Sequence, residues 1–196
     1  AVVAEQGKLI DQLREQVRTQ EPDWHNAPVA SFGSLDAELL IVGLAPGRGG
    51  ANRTGRPFTG DYAGDLLYQT IEKFGLSEGR YGAGPDDGLR LRNCRITNAV
   101  RCLPPENKPV GAEIKECGAY LAEEIGAMGR LRVLLALGVV AHGAVLTALG
   151  QRKSLFKFAH GAQHQLPSGL VLADSYHCSR YNTNTRRLTV DMFESV

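Results

Sequence analysis

Four side chains carry most of the chemistry this sequence offers: a carboxylate at Asp61, an imidazole at His177, a carboxamide at Asn98 and an aromatic ring at Phe58. Asp61 closes the run Pro57-Phe-Thr-Gly-Asp61, just ahead of a helical stretch. Aspartate there is a favoured helix N-cap, and a carboxylate can also position or activate a water. One residue can hold both roles. Asp65 is the competing carboxylate, but it lies inside the helical stretch. Asn98 sits mid-strand in Thr97-Asn-Ala99, where a buried amide needs a partner. Its donor and acceptor suit either a structural bond or the edge of a ligand. His177 follows the last apolar run and brings a ring that titrates near neutrality. Phe58 is either core or a stacking face. The segment Gly43-Leu-Ala-Pro-Gly47, continuing through Arg48-Gly-Gly-Ala-Asn-Arg-Thr-Gly-Arg56, is a surface loop or a ligand loop. It does not follow G-x-G-x-x-G, Pro46 stands where a dinucleotide-binding helix would open, and no Gly-Lys-Ser/Thr is present.

Alternating strands and helices must position these groups. Apolar periodicity predicts helices over residues 8–18, 63–74, 112–124, 140–149 and 187–196. Strands are expected at 39–42, 95–100, 132–137 and 171–173, and residues 75–87 read as loop. Pro104, Pro105 and Pro109 enforce an extended connection. This order predicts one α/β domain over residues 1–196, a three-layer α/β/α sandwich around a four-stranded, mainly parallel sheet. Ligands of such sheets bind at the carboxyl ends of strands. Three unusual segments, 43–60, 101–109 and 175–182, follow strands and gather on that edge.

A chain of 196 residues, 43% hydrophobic and 22% charged, can bury a full core. The composition excludes collagen, coiled coil and disorder. A net charge of +1 excludes a polycation, so nucleic-acid binding would need its positive charge on one face. Arg48, Arg53, Arg56, Arg101, Lys108, Arg180, Arg186 and Arg187 lie in or beside the three loops and predict such a face. The longest apolar run, residues 131–145, is broken by Gly138 and His142, so no membrane span is expected. The N-terminal stretch is charged and helical rather than a signal peptide. A cytoplasmic monomer with reduced thiols is the expectation.

The quoted loop, with Asn52-Arg-Thr-Gly-Arg-Pro-Phe-Thr-Gly-Asp-Tyr-Ala-Gly-Asp65, resembles the first motif of the type-B (family 5) uracil-DNA glycosylases. Ile96-Thr-Asn-Ala-Val-Arg-Cys-Leu-Pro-Pro-Glu-Asn-Lys-Pro109 is similar to their central segment, and Ser175-Tyr-His-Cys-Ser-Arg-Tyr-Asn-Thr183 to their final one. The resemblance runs from Trp24 onward. It implies a repair enzyme that flips uracil, or another deaminated base such as hypoxanthine, out of DNA and hydrolyses its glycosidic bond. Asp61 would then handle the water and steady a cationic sugar, and His177 would stabilise the departing base near its O2. Gly43, Leu44, Ala45, Phe58 and Asn98 would hold the base. Arg48, Asn52, Arg53, Arg56, Ser179, Arg180 and Asn182 would grip the DNA. No lysine stands in a matched position as a lyase nucleophile, so a monofunctional enzyme is expected. Sister families carry an acid where this chain has Ala45, which moves the burden to Asp61. Cys178 replaces a usual proline, which points to a less rigid loop. The alternative is a module that binds uracil or abasic DNA and turns over slowly. A second rival is an unrelated α/β enzyme whose glycine loop takes a nucleotide phosphate.

Relatives of this family hold an iron–sulfur cluster on four cysteines. Cys102 and Cys117 match the central pair, and residues 1–20 contain no cysteine. Cys94 is eight extended steps, roughly 25 Å, from Cys102, too far to substitute. Cys178 lies in the final motif, on the expected DNA side. No cofactor and no metal are therefore expected, with the first helix pinned instead by Leu9, Leu13 and Val17.

Overall fold

Leu39-Leu-Ile-Val-Gly43 is apolar throughout, as a strand covered on both faces must be. The computed structural model describes residues 2–196, with side chains from residue 11 onward. In it this run is β1 (Leu39–Gly43), the second strand of a five-stranded sheet. Ahead of it lies α1 (Val2–Gln20), and after it come α2 (Ala51–Thr54) and α3 (Tyr62–Lys73). A small antiparallel ribbon, β2 (Ser77–Glu78) with β3 (Arg90–Leu91), leads to β4 (Cys94–Asn98). Then follow α4 (Gly111–Ala127), β5 (Val133–Leu137), α5 (Val139–Ala148), β6 (Gln163–Gln165) and β7 (Val171–Ser175). Two short helices, α6 (Arg180–Asn184) and α7 (Val190–Glu194), complete the described chain.

The sheet order is β4-β1-β5-β7-β6. Its first four strands are parallel and are the four expected; β6 adds an antiparallel edge beside β7. Side chains alternate across the sheet with period two. Leu40 and Val42 meet α4 and α5 through Leu121, Ala144 and Val145. Ile41 and Ile96 meet α3 and α7 through Leu67, Ile71 and Phe193 on the other face. These are the two outer layers of an α/β/α sandwich.

Several expected elements differ in detail. The helix expected over 187–196 is confined to α7 (Val190–Glu194), because the chain turns after α6, where Arg186 takes a φ of 56°, and Thr189 caps the new helix. The segment 175–182 includes the start of α6, capped by Ser179, whose side chain accepts the N–H of Asn182. The proline-rich connection contains a 3₁₀ turn over Pro105–Asn107. Val17 of α1 is buried and Leu13 half-buried, while Leu9 lies outside the described side chains. Among the described residues, no helix is long and apolar enough to cross a membrane.

Candidate active site

From β1 the chain runs to β4 on one side and later returns to β5 on the other. Connections diverging from one strand leave a crevice at its carboxyl end. A cleft of about 750 Å³ opens there. Leu44, Ala45, Phe58, Asn98 and His177 line it, with Arg48, Asp61, Ser179 and Arg180 among its other walls.

Phe58 is buried against the sheet and takes a φ of 52°, a strained conformation for a bulky residue. Close packing holds it. A Cβ on Gly43 would stand 2.4 Å from the Phe58 ring and from Asn98 Oδ1, and one on Gly64 would stand 1.8 Å from the Phe58 carbonyl oxygen. Gly43 thus lies behind the site and makes room for it. Tyr68 donates its hydroxyl to the Pro57 carbonyl at 2.7 Å and fixes the loop from below. The His177 ring stacks toward Phe58, with centroids 5.9 Å apart.

Asp61 caps α3: its Oδ1 accepts the Gly64 N–H at 3.1 Å. Its Oδ2 takes no hydrogen bond from the described residues and lies over the glycine loop. A Cβ on Gly50 would stand 2.2 Å from that oxygen, and one on Gly47 at 3.2 Å. Asn98 Oδ1 is buried with no hydrogen-bond partner among the described residues. Leaving such an acceptor unmet costs about 1–3 kcal/mol. Burial pushes the His177 imidazole below its ordinary value, against an opposing pull from Asp61.

Three residues expected at DNA are used elsewhere. Arg56 is buried, where its guanidinium forms a fork with Asp87 at 2.7 and 2.6 Å and donates to Thr59 at 2.8 Å. The rings of Phe32 and Tyr68 lie 5.0 and 5.5 Å from its carbon. Arg56 is a pedestal under the loop. Asn52 is buried and donates to Asn26 at 2.9 Å. Asn182 donates to the His177 carbonyl at 2.8 Å and so positions the final loop. Arg53 is exposed, and its Nε donates to Gly49 O at 2.7 Å. Arg101 is paired with Glu124 at 2.9 Å. Cys178 is buried in the core rather than facing DNA, its Sγ 3.4 Å from the Ala63 carbonyl and its thiol pushed up to about 12 by burial. Sequence reasoning missed Tyr62 and Asn107, which also line the cleft, and Tyr181, which is 72% exposed beside Arg180. Tyr62 adjoins the matched Asp61, and Arg180 lies 5.4 Å over its ring.

The model of the uracil DNA glycosylase superfamily matches residues 30–196. The chain belongs to this superfamily. It is 46% identical to the type-5 uracil-DNA glycosylase of Thermus thermophilus, over 93% of this chain and 83% of that protein. It is 43% identical to the type-5 enzyme of Pyrobaculum aerophilum, over 86% of this chain and 73% of that one. A type-4 uracil-DNA glycosylase of Archaeoglobus fulgidus is 34% identical over 66% of this chain and 59% of its own length.

The superfamily resemblance raises the cluster again. Burial lifts the Cys102 thiol, and Cys117 is near enough to lift it further. Cys94 and Cys178 are buried on the sheet face that carries α3. Among the described residues, two thiols are therefore adjacent where four are needed. These residues do not complete a four-thiolate site, and no step below uses one.

Proposed function

We propose that this protein is a monofunctional uracil-DNA glycosylase that flips uracil from DNA and hydrolyses its glycosidic bond, leaving an abasic site. The unpartnered, buried Asn98 Oδ1 in the cleft wall carries the reading. Uracil presents an N3–H donor beside its O4 acceptor, and an amide presents the complement. Hypoxanthine offers the same pair at N1–H and O6. Cytosine and adenine present the reverse, an acceptor beside an amino group. Asn98 thus accounts for a pocket that takes uracil over cytosine and hypoxanthine over adenine. Phe58 supplies a ring face for the flipped base.

The chemistry follows from the two remaining groups. Water, held by Asp61 Oδ2, adds its oxygen to C1′ while the C1′–N1 bond breaks and its electron pair leaves with the base. The carboxylate stabilises the cationic sugar and takes the water's proton. Negative charge gathers at uracil O2, where the neutral imidazole of His177 donates an N–H. Arg48, Ser179 and Arg180 at the cleft contact phosphates, and exposed Tyr181 fills the gap left in the stack. The protein acts as a monomer, in the cytoplasm, with no cofactor or metal in the chemistry.

The test is a duplex carrying one labelled U·G pair, incubated with excess protein and then treated with alkali. Strand cleavage at the uracil position is expected. A stable shifted complex without cleavage would favour the binding-module alternative, and absence of DNA binding would contradict both.

A further inference from the structure

A second polar cluster lies under α5 and takes no part in this reaction. His142 of α5, His164 of β6 and Asp174 of β7 meet there. His142 Nδ1 is 2.7 Å from Asp174 Oδ1, and His164 Nε2 is 3.2 Å from Asp174 Oδ2. The three ligand atoms lie within 4.8 Å of one another. Asp174 is fully buried and His142 nearly so, while His164 retains 17% exposure. The ring edges of Phe156 and Phe158 close the surroundings.

Hydrogen counting shows what the cluster needs. His142 Nδ1 faces the Asp174 carboxylate, and its Nε2 faces the Phe156 carbonyl at 2.9 Å. Both partners are oxygens, so without a metal a proton must sit between Nδ1 and Asp174, on the ring or on the carboxyl, while Nε2 donates to the carbonyl. A dication removes the requirement. It replaces the two protons that face Asp174, and each imidazole binds it by a lone pair in the neutral form. His142 then keeps one N–H, donated to a backbone carbonyl, as metal-bound histidines usually do with their second nitrogen.

We propose that His142, His164 and Asp174 form a binding site for a divalent transition metal of the zinc class, with a solvent ligand entering beside His164. Two imidazoles and one carboxylate favour zinc, cobalt or nickel over magnesium and calcium, which prefer all-oxygen sites. The ion ties the three-residue edge strand β6 to β7 and α5. Asp174 lies three residues before His177, so the site braces the strand that delivers the catalytic loop.

Titration of the whole protein with Co²⁺ tests this. One equivalent is expected to bind, giving visible d–d bands without thiolate charge transfer, raising the melting temperature and yielding to Zn²⁺. His164→Gln and Asp174→Asn should each weaken binding by more than about tenfold, the cost of losing merely a group hydrogen-bonded to a ligand. His164 is part-exposed, so its variant should keep the wild-type circular dichroism. Absence of d–d bands would leave a metal-free histidine–aspartate pair and overturn the proposal. Thiolate charge transfer, marking Cys102 and Cys117 as the ligands, or unchanged affinity in both variants would overturn it equally.

Discussion

At Asp61 the two carboxylate oxygens have different partners. Oδ1 ends a helix, and Oδ2 stays open over two glycines. The N-cap and the catalytic readings of this residue are therefore compatible. A methyl group at Gly50 would displace Oδ2. Gly50→Ala is expected to lower the single-turnover rate about a hundredfold, the cost of misplacing a reacting group by roughly 1 Å. Gly50 also has a ψ of −113°, outside the usual α and β regions, so some loss of melting temperature accompanies the change; an unaltered rate in the folded variant would contradict the placement. In the proposed reaction His177 donates as a neutral imidazole, because burial lowers its pKa. Its protonation therefore falls below the ordinary histidine value of about 6.5, and the rate should hold as pH drops through that value. A rate–pH profile with an acid limb at or above about 6.5, absent in His177→Asn, would contradict this. Residue type and motif position made Asp61, His177, Phe58 and Asn98 legible in the sequence. The N-cap bond of Asp61 to Gly64 is local and was legible too; the approach of Gly50 to its other oxygen, and the unpartnered amide of Asn98 beside Gly43 and Phe58, were not, since they join separate stretches of the chain.

Among the elements, the loop that presents Phe58 stands on a buried ion pair. Arg56 and Asp87 are 5% and 7% exposed at their side chains. Asp87→Asn leaves a buried guanidinium without its charge partner and should cost about 3–5 kcal/mol in urea denaturation. Arg56 holds the Asp87 carboxyl well below the usual carboxylate range. The pair's contribution is thus complete above the unfolded aspartate value of about 3.9 and is lost as pH falls toward the folded one. Wild-type stability should show that acid loss, and Asp87→Asn should lack this part of it. The sequence placed Arg56 at DNA because it neighbours a glycine-rich loop. Its partner stands 31 residues away in a stretch that reads as loop, so nothing local marked it as buried. Asn52 hid in the same way behind Asn26. Strand β6 escaped notice because Gln163-His-Gln165 is short and polar, as an edge strand can afford to be.

On the scale of the whole molecule, strand–helix alternation was enough to give the layered parallel sheet and the edge on which the loops gather. The crossing from β4 to β5 about β1 then sets the cleft at the end of β1. With a net charge of only +1, DNA binding rests on local charge. Arg48 and Arg180 are exposed at the cleft. Arg48→Gln and Arg180→Gln should each reduce the slope of log affinity against log salt by about 0.9. Unchanged slopes would remove these residues from the phosphate contacts. The most direct test of the central claim compares Asp61→Ala with wild type on the U·G duplex, measuring uracil release under single-turnover conditions and DNA affinity in parallel. Release should fall by about 10²–10⁴-fold while affinity is retained. A folded Asp61→Ala protein that releases uracil at the wild-type rate would contradict the account.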